Sequence, residues 1–286
     1  MKFKLWLFAA PALVLYGGFF LLPAVQGLRY ATTDWDGWSP AFNEVGLANL
    51  TDVVSNDDLF RNALTNNLKF LLAVVIGQTA LALLLAVLLA ARSRASTFLR
   101  ALFFLPTVLS SVSVAFIWKF VYDPNFGLAN NLLDAVGLDA WKSAYLGNES
   151  TAILWVAVAQ VWFHAGQMMV VYIAGINQIP EELYDAAKTD GAGRWQQFRH
   201  VTWPMVAPAT TLVIAYTTLQ SFKAFDLILG LAGNPPRAGL DVLATRIYST
   251  FANSQLGYAA AESIVFMAAI ALVTWLQNRA GKAVHR

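Results

Sequence analysis

The sequence predicts an all-α polytopic membrane bundle with six transmembrane helices, and three observations carry that expectation. Of 286 residues, 58% are hydrophobic and only 13% charged, where a soluble domain carries about a quarter charged; the mean hydropathy is +0.54. Six long apolar runs are present, and none alternates as the strands of a membrane barrel would. Lysine and arginine concentrate in every second connecting segment, the mark of cytoplasmic loops.

The runs cover residues 5–28, 70–91, 101–118, 151–176, 205–222 and 257–277. Each meets or approaches the roughly 20 residues that a spanning helix needs. Lys2 and Lys4 precede the first run, which is too long for a signal-peptide core and lacks a small-x-small cleavage site, so it reads as an uncleaved helix. The segment 30–66 is an outer loop, with Asp34, Asp36, Glu44, Asp52, Asp57 and Asp58 against Arg61. Arg92, Arg94 and Arg100 put the next connection inside. The third loop, with Asp123, Asp134, Asp139 and Glu149 against Lys119 and Lys142, is outside. Lys188, Arg194 and Arg199 place the fourth connection inside, and Arg279, Lys282 and Arg286 do so for the tail. Both termini therefore face the cytoplasm. The sixth run contains one charge, Glu262, expected near the outer surface together with Lys223 and Asp226. Trp6, Trp118, Trp155 and Trp275 fall near run ends, where indoles anchor at the interface. Asp123-Pro-Asn-Phe-Gly127 and Gly233-Asn-Pro-Pro236 are breaker clusters and hence loops. No repeat divides the chain, so residues 1–286 read as one membrane domain.

Several chemistries lack their residues. The chain has no cysteine, hence no thiolate nucleophile or thiolate metal ligand. No phosphate-binding Gly-x-x-x-x-Gly-Lys-Ser/Thr motif occurs, and Gly191-Ala-Gly193 is an isolated Gly-x-Gly. His164, His200 and His285 are too dispersed for a metal site. Enzyme function is disfavoured. A self-contained secondary transporter or channel is the alternative class; it would need an ion site or a pore ring, and the runs hold no paired carboxylates.

The connection 177–208 is the most informative stretch. Pro180 suits a first helical turn, and Glu181 and Glu182 complement the helix dipole. Gly191 stands where the helix ends and can take the positive φ of a C-terminal cap. A second short helix follows, with Trp195, Phe198 and Val201 expected on one side, and Pro204 and Pro208 open the fifth span. Glu181, Glu182, Asp185 and Asp190 would be repelled by an anionic leaflet, so the loop reads as a protein-docking element rather than a lipid-bound helix.

Within the spans, Gln160, His164 and Gln167 share one helical face. In the fifth span Thr217 and Ser221 are four apart, with Gln220 adjacent. Intramembrane polar groups face a bundle interior or a cavity. Two readings stand: hydrogen bonds between helices, or a lining for sugar hydroxyls, which need donors and acceptors, with Trp162 and Phe163 able to stack on a sugar face.

The 185–208 spacing resembles the loop by which permease subunits of binding-protein-dependent ATP-binding-cassette importers dock on their ATPase. That pattern runs Glu-Ala-Ala, two residues, Asp-Gly-Ala, five residues, Phe, two residues, Ile, one residue, Leu-Pro, three residues, Pro. Asp185-Ala186-Ala187, Asp190-Gly191-Ala192, Phe198, Val201, Trp203-Pro204 and Pro208 fall on every spacing; Asp185, Val201 and Trp203 replace Glu, Ile and Leu. Thr32-Thr33-Asp34-Trp35-Asp36-Gly37, Gly127 with Asn130 and Asn131, Ile179-Pro180-Glu181-Glu182-Leu183-Tyr184 and Phe225-Asp226 resemble the maltose-permease-like carbohydrate branch in order. Asn234-Pro235-Pro236 departs from that branch's Gly-Gly-Pro. The resemblance implies an inner-membrane sugar permease working by alternating access. It implies as partners a second homologous permease, two ATP-binding subunits and an extracytoplasmic sugar-binding protein. ATP and Mg would be bound by those ATPase subunits, with no cofactor in this chain and no nucleic acid. Asp185, Ala186, Ala187, Asp190, Gly191, Ala192, Phe198 and Pro204 would couple to the ATPase. His164, Gln167, Thr217 and Ser221 would lie near sugar-contacting positions, which favours the cavity reading and brings Gln160 with them.

Overall fold

The structure is a computed structural model that describes residues 2–91 and 93–284. Arg92, His285 and Arg286 lie outside the described residues, and so do the side chains of Lys2, Lys4, Trp6 and Lys282. The architecture is helical. In chain order the helices are α1 (Lys2–Tyr16), α2 (Leu22–Tyr30), α3 (Ala48–Ser55), α4 (Asp58–Leu89), α5 (Arg94–Phe104), α6 (Ser111–Val121), α7 (Leu128–Ala135), α8 (Ala152–Ile176), α9 (Glu181–Thr189), α10 (Arg194–Gln197), α11 (Trp203–Met205), α12 (Ala207–Phe222), α13 (Asp226–Ala232), α14 (Leu243–Ala252) and α15 (Leu256–Val284). Among the described residues β-pairing is confined to one isolated bridge, Thr33 with Glu44.

Among the described residues, four stretches are long and apolar enough to cross a membrane unbroken: Phe8–Tyr30, Asp58–Leu89, Ala152–Ile176 and Leu256–Gln277. The third and fifth expected spans are instead bent. Arg94–Val108 meets Ser111–Val121 at 101°, and Ala207–Phe222 meets Asp226–Ala232 at 49°. The first break has local causes. Pro106 opens a 3-10 turn over Leu105–Val108, and Ser110 caps α6 by accepting from Ser113 N–H at 3.1 Å. Six spans result only when each bent pair is counted as one.

The chain divides into two compact units, Met1–Asn62 with Leu243–Leu272, and Ala63–Val242 with Val273–Arg286. In the first unit, the expected loop 30–66 is shorter than its apolar pattern indicated, because α4 begins at Asp58. Asp57 makes this start: its Oδ1 accepts from Phe60 N–H at 2.8 Å. Asp36 accepts from the backbone N–H of Trp38 and Ser39 and from the Ser39 hydroxyl. These bonds pull its carboxyl down to about 2. Glu262 is not at the surface as expected but fully buried. Arg246 of α14 bonds it at 3.0 Å and reaches Asp57 at 3.3 Å, while Tyr258 Oη donates to Asp57 at 3.0 Å. A buried carboxylate requires such a partner. Lys223 and Asp226, in the other unit, are exposed.

The second unit holds two apolar cores. Phe70, Val74, Val114, Ile153, Phe163 and Ile228 form one. Ala82, Ala86, Met168, Met169, Tyr172 and Val206 form the other. Gly166 is a contact point: a Cβ there would overlap the Phe103 carbonyl, so only glycine lets α5 lie this close to α8. Arg100 donates to the carbonyls of Leu89, Ala90 and Ala91, so the sequence's basic cluster also supplies the cap of α4.

Candidate coupling loop and solute pocket

The connection after α8 folds as two short helices held by their own backbone. Pro180 precedes α9, Glu181 and Glu182 fill its first turn, and Lys188 its last, each charge set against the dipole. Gly191 has φ +77°. Its N–H bonds Lys188 O at 3.0 Å and the Ala192 N–H bonds Ala187 O at 2.9 Å, the paired bonds of a Schellman cap. Gln196 Oε1 then accepts from Gly193 N–H at 2.7 Å, and Gln197 Nε2 donates to Ala192 O at 2.8 Å. The turn is thus fixed by hydrogen bonds on both sides of Gly191.

One face of this loop is anchored. Ile179 and Val206 are buried in the second core, with Tyr184, Phe198 and Val201 packed against it. Tyr184 Oη and Thr202 Oγ1 are 2.9 Å apart and tie the two ends together. The other face is open. Asp185, Ala186, Asp190, Gly191 and Pro204 are exposed, while Ala187 and Ala192 are half-buried. Phe198 points inward as an anchor. Trp195 shares the side of Phe198, as expected, but is 69% exposed rather than packed. Its ring lies 5.4 Å from Phe198 on the outer side. Asp185 pairs with Lys188 at 2.9 Å, both solvent-exposed, so this pair contributes little stability.

A cavity of about 260 Å³ lies between α8 and α12, with Ser111, Gln160, Phe163, His164, Tyr216, Gln220, Lys223 and Asp226 in its wall. Gln160 is 3% exposed and its side chain makes no hydrogen bond among the described residues. Phe163 and His164 rings are in contact, centroids 4.0 Å apart. Gln167 lies outside the lining but donates to Tyr216 Oη at 3.2 Å, holding a ring that lines it. Thr217 and Ser221 do not join the cavity. Both are buried; Thr217 accepts from Gln78 Nε2 at 3.2 Å, and the Ser221 hydroxyl donates to Thr217 O at 2.8 Å. Thr217 thus makes a bond between helices, and Ser221 a bond within its own helix. The cavity-facing row of α12 is Tyr216, Gln220 and Lys223, spaced i, i+4, i+7. That spacing was visible in the sequence; the side of α12 that faces α8 was not. The wall offers amides, a phenol, a hydroxyl and an imidazole, which suit a ligand carrying both donors and acceptors.

Such a fold, with long apolar helices, two of them broken, is that of a multi-pass helical membrane protein. The match to known proteins is specific. Residues 78–286 match the family described as binding-protein-dependent transport system inner membrane component, and the chain belongs to that family. A probable ABC transporter permease protein of Pyrococcus horikoshii is 35% identical over 273 residues, covering 94% of this chain and 93% of the relative. A probable starch degradation products transport system permease protein of Thermoanaerobacterium thermosulfurigenes is 32% identical over 274 residues, covering 95% and 91%. Among solved structures, a bacterial ABC transporter involved in the import of the acidic polysaccharide alginate superposes with a TM-score of 0.85. It covers 100% of this chain and 97% of that one at 22% identity, a likeness of fold. This chain is therefore a membrane permease component of a binding-protein-dependent transport system.

Proposed function

We propose that this permease moves a sugar or short oligosaccharide into the cell by alternating access, driven by ATP hydrolysed on separate subunits. The observation that carries the sugar reading is Gln160. Its amide has no hydrogen-bond partner among the described residues and borders a cavity whose other polar groups are mostly neutral. A polyhydroxylated solute would satisfy it and its neighbours together. The starch-product relative supports the same class.

The working unit in this reading contains a second homologous permease, two ATPase subunits that bind ATP and Mg, and an extracytoplasmic solute-binding protein. The exposed face from Asp185 to Gly191 is the part that meets the ATPase. The rigid cap at Gly191 and the inward anchors Tyr184 and Phe198 would carry ATPase closure to α8 and α12. Both termini and the 177–208 loop face the cytoplasm. The test is reconstitution of the complete importer in liposomes with maltotriose, N,N′-diacetylchitobiose, an alginate trisaccharide and sn-glycerol 3-phosphate as labelled solutes. ATP-dependent uptake of at least one saccharide is expected; uptake of glycerol phosphate alone would overturn the sugar assignment.

A further inference from the structure

Gln78 lies on α4, a helix that supplied no residue to the sequence-derived site. Its side chain is fully buried in a membrane-spanning segment, where an amide is expensive. Its Oε1 has no hydrogen-bond partner among the described residues. Packing alone gives no reason for an amide here. The Nε2 end is engaged: it lies 3.2 Å from Thr217 Oγ1 and 3.4 Å from Gln220 Oε1. Thr217 is outside the cavity lining, but Gln220 is part of it.

The direction of that second bond matters. An amide has one carbonyl acceptor and one NH₂ with two donors. With its Oε1 engaged by Gln78, Gln220 keeps its NH₂ free of any partner among the described residues. One turn earlier, Tyr216 Oη accepts from Gln167, which leaves the phenolic hydrogen free to donate. Less than one turn later comes Lys223, which can only donate. The α12 side of the cavity is thus lined by donors, and two of them owe their polarity to a second glutamine behind them.

We propose that Gln78 is a positioning residue for solute recognition: it holds the Gln220 carbonyl so that the Gln220 NH₂ faces the solute and selects for acceptor oxygens such as those of glycosidic links, sugar rings and carboxylates. This rests on the solute-cavity reading above. Gln78 touches no solute itself. It acts through Gln220, and the two residues form one recognition unit.

The test uses the complete importer in liposomes with the same four labelled solutes, comparing wild type, Gln78→Met, Gln220→Met and the double variant. Methionine nearly matches glutamine in volume and is compatible with an apolar core. The readout is solute taken up per ATP hydrolysed, at equal amounts of assembled complex. Each single variant is expected to lower this ratio by about 2- to 10-fold, the worth of one neutral hydrogen bond, and the double variant no further than the worse single. Gln78→Asn keeps a buried amide but falls short of Gln220, and is expected to match Gln78→Met; it decides the matter if the methionine variant does not assemble. Gln78 variants with the wild-type ratio, or losses that multiply in the double variant, would overturn the positioning role and leave the solute cavity standing. A wild-type complex inert towards all four solutes would remove the cavity reading and this proposal with it.

Discussion

The coupling loop and the solute cavity are both polar sites in an apolar chain, and they are built in opposite ways. The loop is local. Its shape comes from backbone bonds within a dozen residues, closed by Gly191, Gln196 and Gln197, and its side chains are largely free on one face. The cavity is assembled from α6, α8, α12 and the start of α13, with α4 supporting it from behind. In the proposed function one site is a rigid handle for the ATPase. The other is a set of side chains whose orientation depends on helix packing. A local change should therefore abolish the first outright, while the second should degrade bond by bond.

Four experiments bear on that contrast, in falling order of effect. The largest is all-or-none. The chain has no cysteine, so single cysteines at Asp57 and Thr189 report topology directly, and an impermeant thiol reagent is expected to reach them from opposite sides of the membrane. Labelling from one side would dismantle the assignment of the loop to the ATPase face. Next, Gly191→Val places a β-branched residue at φ +77°, at a cost of about 1–3 kcal/mol. Uptake per assembled complex is expected to fall at least about tenfold, with loss of ATPase co-purification. Third, Gln160→Leu removes one neutral bond to solute, worth roughly 0.5–1.5 kcal/mol, and should lower uptake several-fold while complex yield stays normal. Ser221→Ala, at a residue outside the cavity wall, should leave uptake per complex near wild type; an equal loss in both variants would erase the distinction between lining and non-lining positions. The smallest effect is expected at Lys188→Ala. Its exposed pair with Asp185 is worth at most about 1 kcal/mol, so thermal stability should barely move.

The loop could be read from the sequence because its determinants are consecutive. Pro180, the paired glutamates, Gly191 and the prolines at 204 and 208 each act on their own neighbours, and the fold places α9 and its cap where they indicate. Trp195 stacks on Phe198 as their three-residue spacing indicates, but that spacing does not say that the indole is left exposed. The cavity was only half legible. Gln160 and His164 fell on the cavity-facing side of α8, but on α12 the face is set by how that helix packs against α4, and Gln78 turns Thr217 inward. Nothing local to 217–221 encodes that rotation. Gln78 itself offered a signal, a lone amide in an otherwise apolar run, which reads as a helix-to-helix bond until its second acceptor is known. The break at Pro106 was legible in principle, since a proline followed by a serine cap interrupts the run; an uncharged stretch of spanning length masked it. Glu262 lies near one end of its run, which suggests the surface, but Arg246, sixteen residues earlier, supplies a buried partner.

The contrast between handle and cavity is tested most directly by measuring uptake and binding-protein-stimulated ATPase activity together, in liposomes, for Gly191→Val and Gln160→Leu. The account predicts that Gly191→Val loses both activities in proportion, since the ATPase is no longer gripped. It predicts that Gln160→Leu keeps ATP hydrolysis near wild type while uptake falls by about 2- to 10-fold. Hydrolysis and uptake falling together in Gln160→Leu, or uptake persisting in Gly191→Val, would contradict it.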